Sequence, residues 1–429
     1  MPRREFEPGI EGARALDAAD ELGSFRRQFE LPKQQGRTLT YLCGHSLGLM
    51  PRRARRYVGG ELERWAQRGV DGHFAQRPSE GWFDYHERFS EPLAALIGAK
   101  RDEVVAMNSL TVNLHLMLVS FFQPTKQRYK ILIERDAFPS DRYAVQSQLR
   151  YHGLNPEQDL LEIAPDTDSR QLNPERLRAL LEAQGEHIAL ILLPGVQYLS
   201  GERLDIGALT SLAQGFGCRI GFDLAHAIGN VPVELHDAGP DFAVWCSYKY
   251  LNGGPGAVGG CFVHRRWAHD RDLPRFAGWW GHDPAQRLKM PHDFAPMVGA
   301  EGWQLSNPPI LSLAPLAASL ELFQQAGLPK LRRKSERLTR YLEHLLHERL
   351  GERVTILTPA DSARRGCQLS LQLNPAPRDP ASVVNGLRRA GVIADLREPN
   401  VLRLAPVPLY NRFSDVFAAV RALDTVLGE

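Results

Sequence analysis

The segment Ile188 to Leu193 is apolar at every position, and it constrains this chain more than any other stretch. A strand covered by helices on both faces has that character, whereas a half-exposed strand alternates. Tyr129 to Ile133, Cys218 to Asp223 and Phe242 to Trp245 read as further strands, and helical stretches such as Pro174 to Gln184 and Ile206 to Gln214 separate them. Strand and helix in alternation predict an α/β fold, with a large domain built on a mostly parallel, doubly wound sheet. Ligands of such sheets bind beyond the carboxyl ends of the strands.

Those ends carry reactive side chains. Asp223 closes one strand and is followed by Ala225 and His226; Ser247, Tyr248 and Lys249 follow another and open a glycine-rich turn that runs to Gly260. A lysine in apolar company is poorly solvated as an ammonium, so its neutral amine becomes a usable nucleophile. A loop lysine whose ammonium reaches water fits the same stretch. Asn108 or Ser109 caps an apolar helix, where free N–H groups with the hydroxyls of Ser109 and Thr111 suit a phosphate, although capping alone explains those residues too. Phe138 to Asp141 reads as a turn with an aromatic ring beside polar side chains, and Ser200 follows the strand that ends at Pro194. An aspartate and a lysine at neighbouring strand ends suit pyridoxal 5'-phosphate, the carboxylate keeping the pyridine nitrogen protonated. Lys249 would hold its aldehyde, Thr111 and Ser109 its phosphate, and Phe138 one ring face.

The remainder gives the organisation. Residues 1–50 read as an N-terminal segment packing on the other domains, polar up to about residue 40, with a helix from about Ala13 to Phe29 and little to bind it into a core of its own. In Tyr41 to Pro51 two glycines flank His45 and Ser46, which suggests a loop pressed against a ligand or another segment. A helix from Arg52 to Gln67 follows, and then irregular stretches holding His73, Arg77 and Pro78. The large domain covers 51–315. Residues 316–429 form a connecting helix, interrupted at Gly327 to Pro329, and a smaller α+β unit. In that unit Val354 to Leu357, Gln368 to Leu373 and Val401 to Leu404 read as strands, and Asp379 caps a helix that starts at Pro380.

With 43% hydrophobic and 24% charged residues and a net charge of +2, the chain has the balance of a soluble globular protein. No basic block stands beside aromatic platforms, so nucleic acid is not indicated, and no apolar run is long enough to span a bilayer. The five cysteines form no C-x-x-C pair and no histidine cluster has metal-ligand spacing, so no metal is expected and the thiols fit a reducing, cytoplasmic setting. The charged N-terminus lacks the apolar core of a signal peptide.

Phe222 to Asn230, Trp245 to Asn252, Asn113 to His115, Phe138 to Asp141, Ser306 to Ile310 and Arg403 to Asn411 resemble kynureninase, a likeness that runs from about residue 40 to the C-terminus. The resemblance implies a fold type I pyridoxal-phosphate enzyme, homodimeric, with each active site at the subunit interface. It further implies hydrolysis of L-kynurenine or 3-hydroxykynurenine to an anthranilate and alanine, a step of tryptophan degradation. Carried over by position, Lys249 is the Schiff-base lysine, Asp223 the partner of the pyridine nitrogen, and His226 a neighbour of the cofactor. Leu110, Thr111, Phe138, Pro139, Ser140, Asp141, Ser200 and Tyr248 line it. Trp279 and Asn307 match positions that reach in from the second subunit. Arg403 matches the arginine that grips the substrate carboxylate, for which a bidentate guanidinium is suited. Ser46, His73 and Asn307 lie on the substrate side, and Tyr248 is the proton donor and acceptor expected near the γ-carbon. His45 stands where the family usually has asparagine. A cysteine desulfurase or a class V aminotransferase would share the fold and the Asp and Lys logic. A desulfurase would need a mobile nucleophilic cysteine, and Cys367, at the mouth of a strand, is expected to be buried instead. A cofactor-binding regulator without turnover is the remaining alternative, for which no DNA-binding module is attached.

Overall fold

The computed structural model describes residues 6–74, 81–167, 170–377 and 379–428; Arg77, Pro78 and Arg378 lie outside them. Its centre is a seven-stranded sheet. The strands are β1 (Val104–Ala106), β2 (Lys130–Glu134), β3 (Leu160–Ile163), β4 (Ile188–Pro194), β5 (Arg219–Asp223), β6 (Phe242–Trp245) and β7 (Gly260–Val263). Their order across the sheet is β1-β7-β6-β5-β4-β2-β3. From β3 to β6 neighbours are parallel, while β7 runs against both β6 and β1.

Successive residues of each strand enter different cores, as the two-residue period of a strand requires. Ile131, Ile133, Leu190, Leu192, Phe242 and Val244 face one side. Leu132, Ile191, Leu193, Ala243 and Trp245 face the other. Three helices precede or enter the sheet domain: α1 (Gly9–Ala18), α2 (Ala54–Arg68) and α3 (Glu87–Ile97). On the first face pack α4 (Leu110–Phe121) and α5 (Pro139–Tyr151), through Leu114, Met117 and Phe121 and through Val145 and Leu149. On the opposite face pack α3, α6 (Pro174–Gln184), α7 (Ile206–Gly215) and α8 (Ile310–Ala326). The doubly wound arrangement is therefore present, and it explains why β4 has no polar face.

The C-terminal part has its own core. Helix α8 ends at Gly327, whose φ of +75° a side chain would strain, and α9 (Leu328–Arg349) begins at once. Then come β8 (Val354–Ile356), β9 (Leu369–Leu373), α10 (Pro380–Arg389), β10 (Asp395–Arg397), β11 (Val401–Leu404) and α11 (Phe413–Gly428), the strands ordered β8-β9-β11-β10. The Asp379 side chain accepts from Ala381 N–H at 3.0 Å and Pro380 opens α10, as the sequence predicts.

Three local expectations need correction. The helix expected over Ala13 to Phe29 is instead α1 followed by a 3₁₀ segment, Gly23–Gln28, because Asp20 turns back to accept Leu22 N–H at 3.0 Å. Nor is this segment weakly held: Phe6 and Ala13 are buried in the C-terminal core, and Leu22 and Phe29 in the sheet core. Phe138 to Asp141 is not a free turn but the start of α5, with Phe138 as N-cap and Pro139 in the first turn. Proline's fixed φ and missing N–H suit that position.

A buried ion pair ties the N-terminal segment to α9. Lys334 Nζ lies 2.7 Å from Asp20 Oδ2, both side chains almost fully covered. Asp20→Ala would leave the ammonium buried without a partner, so we expect a loss of about 3 kcal/mol in chemical denaturation. A loss under about 1 kcal/mol would mean that the pair contributes little.

Candidate active site

The carboxyl ends of β2, β4, β5 and β6 meet around one cavity. Leu110, Thr111, Phe138, Ser140, Asp141, Asp223, His226, Tyr248 and Lys249 all line it. Residues more than a hundred positions apart are thus brought together by strand order alone. Asp223 is the last residue of β5, and Lys249 lies four residues beyond β6. Its Nζ is 5.7 Å from the centre of the Phe138 ring and 5.8 Å from that of Tyr248.

The floor of the cavity holds two carboxyl groups. Asp223 Oδ1 accepts Ala225 N–H at 2.7 Å, and Asp223 and Asp141 are hydrogen-bonded to each other. Burial raises both carboxyls, Asp141 the more because Asp223 adds its charge. Carboxyls in contact and out of water cannot both ionise freely, so they retain a proton between them. A cationic ring nitrogen beside Asp223 would supply the missing counter-charge. His226, fully buried, is held well below its ordinary value by burial and by Lys249 nearby, and its Nδ1 has no partner. The imidazole is therefore neutral. Burial, with Cys246 beside it, raises the Tyr248 phenol, which stays protonated.

At the opposite end two helices begin. Ser109 is the N-cap of α4 but makes no side-chain capping bond, and no acidic residue stands in the first turn. Thr111 Oγ1 and Ser140 Oγ, one from each helix start, are 2.9 Å apart. Unused N–H groups, two hydroxyls and two helix dipoles make a site for a phosphate. The cavity thus offers an amine, an anion cradle, a carboxyl pair and an aromatic wall, groups that fit pyridoxal phosphate.

The segment Tyr41 to Pro51 acts on this site through close backbone contact. A Cβ at Gly44 would lie 2.3 Å from Tyr410 Oη, and one at Gly48 2.2 Å from Lys249 O. Gly48 N–H donates to Tyr248 O at 2.8 Å. Its two glycines therefore press against other segments of the chain and brace the lysine loop.

Other expected residues lie elsewhere. Ser200 is buried in a neighbouring cavity with Gln197, whose Oε1 accepts Ser200 N–H at 2.8 Å. Pro139 serves the start of α5. Arg403, buried on β11, donates from Nη1 to Tyr198 O at 2.8 Å and pairs with Asp395. Ser46 lines an open groove with Cys43, Arg388 and Asp395. His73 packs against Trp82 and Phe83, at 5.3 and 5.2 Å between ring centres. Trp279 and Asn307 are exposed and do not line the cavity.

Two residues of the cavity wall were not singled out from sequence. Glu134 ends β2 as Asp223 ends β5, and burial pushes its carboxyl up to about 8. Gln197 Nε2 donates to it at 3.1 Å. Tyr198 lines the cavity and places its carbonyl on Arg403. All five cysteines are buried as free thiols. Cys367 is wholly covered, and burial pushes its thiol up to about 12.

Residues 331–423 match the family described as kynureninase C-terminal domain. The kynureninase of Xanthomonas campestris pv. campestris is 53% identical over 96% of this chain and 97% of its own length. That of Myxococcus xanthus is 53% identical over 98% of this chain and 97% of its own. Among solved structures, a cysteine desulfurase from Thermococcus onnurineus aligns at a TM-score of 0.74 over 91% of this chain and 95% of its own, with 17% identity. One from Escherichia coli aligns at 0.74 over 95% and 98%, with 16% identity. At such identities these two speak for the shared fold.

Proposed function

The chain belongs to the kynureninase family, and from that premise we propose how its residues divide the work of hydrolysing L-kynurenine to anthranilate and L-alanine with pyridoxal 5'-phosphate. The observation that carries the assignment is the convergence of Lys249, Asp223, Thr111 and Phe138 on one cavity. When bound, the cofactor supplies an aldehyde for amines and a protonated ring that accepts an electron pair. Lys249 would hold the cofactor's aldehyde carbon and, as a free amine, would move the substrate's Cα proton. Asp223, backed by Asp141, would keep the proton on the ring nitrogen. Phe138 would cover a ring face, with His226 and Leu110 beside it, and Thr111 and Ser140 would take the phosphate at the helix starts. Water gives its hydroxyl to the γ-carbon, the Cβ to Cγ bond breaks, and the Cβ takes up a proton. Tyr248 is the proton donor and acceptor for that exchange, for which its protonated phenol suits it. Arg403 binds the substrate carboxylate.

We read the active enzyme as a homodimer whose second subunit brings Trp279 and Asn307 to each cavity. Supporting this, Trp279 is exposed, as are the apolar side chains of Trp65, Val70, Leu288 and Met290. The buried free thiols suit a cytoplasmic location. No helix among the described residues is long and apolar enough to cross a membrane.

Substrate choice is read from His73 and Asn307, whose positions the family resemblance puts on the substrate side. His73 and Asn307 could pair with a ring hydroxyl, and the unsubstituted substrate would leave them unused. We therefore expect a higher kcat/KM for 3-hydroxykynurenine than for kynurenine. Both substrates should be compared on wild type and on the Asn307→Thr, His73→Trp double variant, in which the ratio should fall. A wild-type preference for kynurenine, or an unmoved ratio in the variant, would overturn the assignment.

A further inference from the structure

Arg403 does not stand free. Asp395 and Arg403 are directly opposite on the antiparallel strands β10 and β11, so their side chains share one face. The Asp395 carboxylate accepts from Arg403 Nη2, and the Tyr198 carbonyl accepts from Nη1 at 2.8 Å. Nε, equally buried, has no partner. Leaving a guanidinium donor buried and unpaired is costly unless a ligand takes it. The guanidinium is thus anchored through two nitrogens and buried without a partner at the third.

Asp395 is itself pinned. His45 Nε2 lies 3.2 Å and Arg397 Nη2 3.3 Å from Oδ2, the same oxygen that Arg403 uses. Burial holds His45 at about 4, so the ring is neutral and donates its Nε2–H. Two guanidinium charges face one carboxylate, which leaves one positive charge for an incoming anion. With three groups gathered on one oxygen, Asp395 is held from several sides, and a fixed strut fits this geometry better than a placeholder that the substrate displaces.

We propose that Asp395, kept in place by His45 and Arg397, is a positioning residue that holds the guanidinium of Arg403 so that its unpaired Nε is left for the substrate's α-carboxylate. It thereby sets the preference for amines that carry one. The inference rests on the reading of Arg403 as the carboxylate-binding residue.

The test is steady-state kinetics on the cofactor-loaded enzyme, with L-kynurenine as substrate and its decarboxylated amine as a competing ligand. Asp395→Asn keeps the size and removes the charge. It should raise KM about tenfold or more, keep kcat within about threefold, and leave inhibition by the amine within about twofold. Arg403→Lys should raise KM at least as much, and the double variant should be no worse than Arg403→Lys alone. If Asp395→Asn leaves KM within about twofold or lowers it while Arg403→Lys raises it, the role of Asp395 is overturned and that of Arg403 stands. If Arg403→Lys leaves KM unmoved, both readings fall. If Asp395→Asn weakens the amine as much as kynurenine, Asp395 acts through general packing and the proposal is wrong. Should Asp395→Asn not fold, Asp395→Glu carries the same test, because the longer carboxylate should raise KM and spare the amine.

Discussion

Lys249→Ala should abolish measurable turnover and the visible absorbance of the lysine-linked cofactor, while the protein stays folded. The side chain is half-buried, and its environment is the cavity wall rather than the core, so truncation removes chemistry and little packing. Two tasks are lost together, the covalent hold on the cofactor and transport of the Cα proton, so we expect a fall of roughly a thousandfold or more. Circular dichroism should be unchanged. Turnover near wild type in this variant would remove Lys249 from the mechanism.

Asp223→Asn should slow kcat about a hundredfold, close to 3 kcal/mol, the scale of one preorganised charge. The amide fits the same space and can still accept Ala225 N–H through its oxygen. What it lacks is the charge that holds a proton on the ring nitrogen. Asp141, hydrogen-bonded to Asp223, cannot replace it in position, although its carboxyl would then lose its charged neighbour. Single-turnover measurement of Cα proton loss would locate the defect. A rate within about twofold of wild type would count against the assignment.

Much of this site was legible because the alternating pattern discloses a parallel sheet, which places the carboxyl ends of its parallel strands at one edge. Lys249, Asp223 and Thr111 needed nothing further. Strand Phe242–Trp245 and helix Pro174–Gln184 have the bounds that their composition suggests, since their ends are marked by polar or turn residues. Asp395 was not legible, because its meaning depends on a cross-strand register that no local pattern encodes. Glu134 could have been found by the logic applied to Asp223, a carboxylate closing an apolar strand. Strand β7 was masked by its glycines, and the start of α5 by reading Pro139 as a turn residue when it stood in the first helical turn. The N-terminal segment was underrated because its partners, among them Lys334 and the C-terminal core, lie hundreds of positions away.

The most direct test of the whole account is the product balance of the purified, cofactor-loaded enzyme. Given L-kynurenine, it should release anthranilate, followed by fluorescence, and L-alanine in equal amounts, and Lys249→Ala should release neither. A preparation that carries the visible cofactor absorbance yet leaves kynurenine and 3-hydroxykynurenine intact, while converting L-cysteine to alanine, would contradict it.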